Sequence, residues 1–266
     1  MTTPSTPTVR PGRVPPGAIG HNRGVVHNRY AFIPPEGVLK SRLPGYSDTV
    51  VRFLAAPSLG AEFVQMVLEI EPGGGTEAPM GGDVQYFFYV LSGAAVMGLA
   101  GEQPTTLGIG GFAYLPQGDT FTLNNQSASP TRVLVVRKRY EVADGIDAPP
   151  PFTGQRDDAL ATNHTGLEGR GFQHLLGFGD LRHDFEMNVM HFEPGTCFPA
   201  VETHIMEHGL YMLEGQGLYV LGQDWHEIWV DDFIWMGSFC PQQFYPTGQE
   251  RAVYLLYKNV NRDVVL

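Results

Sequence analysis

The stretch Val201-Glu-Thr-His-Ile-Met-Glu-His-Gly209 concentrates side chains able to do chemistry: Glu202, His204, Glu207 and His208. His204-Ile-Met-Glu-His208 fits the H-x-x-E-H pattern, in which a helix would present both histidines to a zinc ion. The flanks exclude that helix. Pro194-Gly195 and Pro199 precede it, and Gly209-Leu-Tyr-Met-Leu-Glu-Gly-Gln-Gly-Leu-Tyr-Val-Leu reads as strand, turn, strand. On an extended chain side chains alternate between faces, so Glu202, His204 and His208 share one face and Glu207 points away. A carboxylate and two imidazoles on one inward face make a metal site that needs a further ligand from another strand.

The elements that must position these groups are strands. In 266 residues there are 33 glycines and 21 prolines, yet 42% of the residues are hydrophobic, which predicts many short strands and tight turns. The halves repeat. Leu-Glu-Ile-Glu-Pro-Gly73 returns as Met-His-Phe-Glu-Pro-Gly195, and Tyr-Val-Leu-Ser-Gly93 as Tyr-Met-Leu-Glu-Gly215. Phe112-Ala-Tyr-Leu-Pro parallels Phe233-Ile-Trp-Met-Gly, and Val-Val-Arg-Lys138 parallels Leu-Leu-Tyr-Lys258, at offsets of 120 to 122 residues. An all-β chain of two tandem antiparallel barrels follows. Residues 1–28 read as a loosely draped arm, 29–145 as the first barrel, and 146–266 as a linker and the second barrel; the linker composition spans 141–165.

A net charge of −11 with only Lys40, Lys138 and Lys258 as lysines argues against nucleic acid or an anionic membrane as partner. Cys197 and Cys240 make no disulfide framework, no run reaches membrane-span length, and the N-terminus has no apolar leader, so the expected location is the cytoplasm.

The spacing resembles the cupin motifs. Gly195, then Glu202-x-His204-x₃-His208-x₆-Gly215, fits the first motif with Glu and His exchanged at the outer ligand positions. Asp232-x₄-Gly237-x-Phe239-x₂-Gln242 fits the second, with Gln242 in place of the last histidine. The implied fold is a bicupin, and the ligand set Glu202, His204, His208 and Gln242 suits Mn²⁺ or Fe²⁺ better than a thiolate zinc site. Gln243 competes with Gln242 for the role. Shifted by the repeat, Met80, Gly82, Tyr86 and Phe121 stand opposite these four, so the first barrel is expected to be metal-free.

Glu202-Thr-His-x₃-His-Gly, Leu213-Glu-Gly-Gln-Gly-Leu-Tyr219, Asp232-x-Ile-Trp-Met236, Pro241-Gln242 and Tyr254-Leu-Leu-Tyr-Lys-Asn-Val-Asn-Arg262 resemble the (S)-ureidoglycine aminohydrolase family of allantoin and purine catabolism. That resemblance implies a hydrolase acting on C–N bonds in linear amidines. It implies one Mn²⁺ per chain on Glu202, His204, His208 and Gln242, and substrate contacts from Tyr254 and Lys258. The substrate would be a small ureido acid and the assembly a homo-oligomer. Glu202 and Lys258 are the expected catalytic groups, and Gln242 can also reach substrate. Lys258 and Tyr254 are four apart and share a strand face, where an inward lysine needs an anion such as a substrate carboxylate. Tyr219 reads as a packing residue. Two other classes stay open, another metal-dependent bicupin such as a small-acid dioxygenase or isomerase, and a non-catalytic ligand-binding bicupin.

Overall fold

The computed structural model describes residues 23–163, 166 and 168–264. Among them there is no α-helix, only strands and three short 3₁₀ turns. A ten-stranded antiparallel sheet built from residues 46–155 curls into the first barrel. The second barrel is made by an eight-stranded sheet facing a three-stranded one, Gln216–Leu221, Asp224–Trp229 and Gln242–Pro246.

Three apolar clusters hold these layers. One fills the first barrel with Met66, Leu68, Phe88, Leu115 and Phe121 among others. Another fills the second with Met190, Leu210, Met212, Phe244 and Leu256. The third lies between the barrels and joins Phe63, Phe87, Tyr114 and Val136 to Phe185, Tyr211, Trp235 and Tyr257. This arrangement accounts for the unbroken apolar runs in the sequence. In the strand Thr131–Lys138, Val133 and Val135 face the first barrel's interior while Leu134 and Val136 face the interface. Ala252–Asn259 does the same in the second barrel, with Tyr254 and Leu256 inward and Val253, Leu255 and Tyr257 at the interface. A strand buried on both faces has no polar side to alternate with.

The barrels exchange edge strands, so pairing crosses the divisions drawn from sequence. Tyr30–Ile33 pairs with Phe233–Met236 of the second barrel, and Phe152–Gln155 pairs with Gly111–Leu115 of the first. The segment read as a linker therefore contains a strand. The end of the arm is not loose either. Arg23 lies over Trp229 and pairs with Asp232 (2.8 Å) and Glu36, while residues 1–22 lie outside the described residues. Asp232 is fully buried, so its charge needs this partner. Lys138 crosses the interface to buried Asp184 at 3.1 Å and also binds Glu141 at 2.7 Å.

Candidate metal centre and substrate pocket

Each sequence-predicted ligand has a distinct structural setting. His208 begins the strand His208–Glu214 and Gln242 begins Gln242–Pro246, so both are anchored by ladders. Glu202 pairs by backbone with Gln242 through two hydrogen bonds of 2.9 and 3.0 Å. Between Glu202 and His208 the chain is a loop, not the continuous strand expected. The loop is pinned where Phe239 N–H donates to the His204 carbonyl and where Glu207 N–H donates to Asn259 Oδ1. Glu207 does point away from the site. Its carboxylate lies at the barrel interface, accepting from Trp235 Nε1 (2.7 Å) and from the Glu62 amide, and burial pushes its pKa up to about 7.

Inside the second barrel three of the four groups meet. His204 Nε2 lies 3.1 Å from His208 Nε2 and 2.9 Å from Gln242 Nε2. Burial, with His204 and Lys258 adding to it, pushes His208 down to about 3, so its ring is neutral and its lone pair is available. Two imidazole nitrogens bound to one divalent ion at about 2.0–2.1 Å stand roughly 2.9–3.4 Å apart for angles between octahedral and tetrahedral. The observed separation of 3.1 Å fits. Gln242 presents its amide nitrogen, and a half-turn of the amide brings Oε1 to the same place. Glu202 is the exception. Its side chain is exposed, and among the described residues no three His, Cys, Asp or Glu side chains gather closely enough to hold an ion. Gln243 points elsewhere, donating to the Phe198 carbonyl and accepting from Tyr245.

Tyr254 is buried against Phe192 and Phe244. Its hydroxyl bonds Tyr219, and Tyr219 donates to Gln242 Oε1 at 3.4 Å. Burial raises both phenols well above the ordinary range and keeps them protonated. Lys258 lies directly across the ladder from His208 on the same inward face. It is not an uncompensated cation awaiting an anion, because Glu186, opposite on the next strand, accepts from Nζ at 2.9 Å. Asn188 Nδ2 donates to the same Glu186 oxygen (3.1 Å), and Asn188 Oδ1 contacts His174 Nδ1 at 2.7 Å. With the amide oxygen as acceptor, His174 must carry a proton on Nδ1.

The cupin-domain profile matches residues 66–137, within the first barrel. An (S)-ureidoglycine aminohydrolase from Escherichia coli (strain K12) is 32% identical over 248 residues, covering 91% of this chain and 93% of that protein. This chain belongs to the (S)-ureidoglycine aminohydrolase family. Another aminohydrolase of that name, from Arabidopsis thaliana, is 31% identical and covers 92% of this chain and 80% of its own length. Among solved structures, one from Pseudomonas aeruginosa described as a glyoxylate-induced protein is 34% identical, covers 94% of each chain and superposes with a TM-score of 0.86. The aminohydrolase-family chain is thus a bicupin whose cupin profile match and candidate metal ligands lie in different barrels.

Sequence reasoning missed Glu186, Asn188 and His174, and set Tyr219 aside as a packing residue. Glu186 and Asn188 carried a signal. In Phe185-Glu-Met-Asn-Val-Met-His-Phe192 they alternate with apolar residues in a strand buried on both faces, where a carboxylate requires a partner. Tyr219, on the strand after the Gly215-Gln-Gly turn, is within reach of the cavity by sequence, but a tyrosine facing a core most often only packs.

Proposed function

We propose that this chain is an (S)-ureidoglycine aminohydrolase, replacing the amine at Cα of (S)-ureidoglycine with water to release ammonia and (S)-ureidoglycolate. The observation that carries the reading is the convergence of His204, His208 and Gln242 beside Lys258 inside the second barrel of a chain from this family. Glu202, His204, His208 and Gln242 would together hold one Mn²⁺, with Glu202 turning inward from the exposed edge. When bound, the ion would supply Lewis-acid polarisation of the substrate.

The chain's own groups supply the rest. Lys258 has three N–H donors and gives one to Glu186, which leaves donors for a substrate carboxylate. Fixing that carboxylate determines which face of Cα meets water. Tyr219 and Tyr254 stay protonated and hold the Gln242 amide from behind; with Oε1 turned to the ion, Gln242 Nε2 would donate to the Tyr219 hydroxyl. Glu202, once turned inward, can take a proton from water on its free carboxylate oxygen and return one to the leaving amine. Leu210, Leu256 and Met236 wall the site with apolar surface. We read the protein as a cytoplasmic homo-oligomer; the described residues contain no helix long and apolar enough to cross a membrane.

The test is ammonia release from freshly prepared ureidoglycine with and without Mn²⁺. Stereospecific release that depends on the ion supports the reading. Full activity in protein stripped of divalent metal removes the metal from it, and no release by Mn²⁺-loaded protein overturns the activity.

A further inference from the structure

Cross-strand pairing aligns the two barrels more closely than their sequences do. The inward rung at the mouth of the second barrel runs Met236, His208, Lys258, Glu186. The matching rung of the first runs Leu115, Tyr86, Arg137, Val64. Sequence alignment had set Lys138 against Lys258. Pairing shows that Arg137 occupies the Lys258 position, while Lys138 points to the interface and is neutralised by Glu141 and Asp184. The cation at the mouth is thus kept in both barrels. Its counter-charge is not, because Val64 stands where Glu186 would be.

We infer that the mouth of the first barrel binds a small carboxylate, with the Arg137 guanidinium as its anchor and the phenols of Tyr46 and Tyr86 beside it. The Arg137 side chain is half-buried and makes no hydrogen bond or ion pair with another described residue. A partly desolvated cation without a partner is a cost that an anion would relieve. Arg137, Tyr86 and Val64 line a cleft of about 1200 Å³ between the barrels, large enough to admit a small acid. The acidic groups of the cleft do not compete. Asp184 and Glu141 are held by Lys138, and Glu62, Asp83 and Asp263 are exposed at the rim. Burial pushes the Tyr46 phenol up to about 12, with Tyr86 adding to it, so it remains a donor.

The ligand must be small and carry a planar anion. Behind the mouth the barrel is packed with Phe88, Phe121 and Leu115, so the ligand cannot enter further. A guanidinium fork meets a carboxylate through two parallel hydrogen bonds, which an ammonium cannot do. Ile205 and Met206, between His204 and His208, also line this cleft.

Glycolate is a suitable probe, titrated calorimetrically into Lys258→Met protein so that binding in the second barrel does not contribute. The expected result is one site per chain that weakens at least ten-fold on adding Arg137→Met and less on adding Arg137→Lys. Arg137→Met alone should release ammonia within two-fold of the parent, which also reports folding; where it does not, the Arg137→Lys comparison decides. Absence of glycolate binding to Lys258→Met, or binding indifferent to both Arg137 changes, overturns the inference. Failure of the aminohydrolase reading would appear separately, as no ammonia release by the parent protein.

Discussion

The two barrels share one backbone plan and differ in what stands at corresponding places. Glu202 pairs with Gln242 as Met80 pairs with Phe121, and the Phe239 amide reaches the His204 carbonyl as the Gly118 amide reaches Gly82. His208 lies opposite Lys258 as Tyr86 lies opposite Arg137. At the four candidate ligand positions the second barrel has Glu202, His204, His208 and Gln242, and the first has a thioether, a glycine or an aromatic ring, at Met80, Gly82, Tyr86 and Phe121. In the first barrel Tyr86 stacks on Phe88 and both pack at a tilt against Phe121, where the second leaves room for polar groups. A duplicated barrel can therefore keep its register while one copy is converted to packing, because register depends on backbone hydrogen bonds and the alternation of faces, not on the mouth residues.

Substitutions can break this contrast. The largest effect is expected from His208→Ala, which should reduce ammonia release to the uncatalysed background and remove bound metal, measured together by ammonia assay and elemental analysis. The equivalent treatment of the first barrel, Met80→Ala, should leave turnover within about two-fold. Lys138→Met tests the joint between barrels. It leaves Asp184 buried without its cation and should cost roughly 3–5 kcal/mol in denaturant unfolding. Although burial opposes it, Asp184 and Glu141 hold Lys138 above the ordinary lysine range. That contribution is therefore complete below the ordinary lysine pKa and is lost only as pH rises through the raised value.

Lys258→Met should raise KM and cut kcat/KM by about 100-fold, close to 3 kcal/mol. Unchanged kinetics would remove Lys258 from substrate binding. The smallest effect is expected from Gln243→Ala. It should cost about 1–2 kcal/mol of stability by leaving the Phe198 carbonyl unpaired, without changing kcat or KM. A turnover defect there would reassign the amide role from Gln242.

Much of this was legible in the chain. The strand-rich composition, the repeat near 120 residues and the Glu/His/His spacing gave the tandem barrels and the identities of the candidate ligands. Motif spacing favoured Gln242 without excluding Gln243; neighbours on a strand face opposite ways, and in the fold Gln242 reaches His204 while Gln243 turns to the Phe198 carbonyl. The exchange of Tyr30–Ile33 and Phe152–Gln155, whose partners lie far away in sequence, was not legible.

What the sequence determined by itself is local: which residue types recur at which spacing, hence the strands, the duplication and a candidate set of oxygen and nitrogen ligands. Tertiary structure decided which groups meet across strands. It paired Lys258 with Glu186, left Arg137 facing Val64, brought His204 to His208 and left the Glu202 carboxylate at the edge. The reason is register. Side-chain alternation is fixed within a strand, but the residue opposite depends on bulges such as those at Arg132/Val133 and Met212/Glu214, which no local pattern specifies.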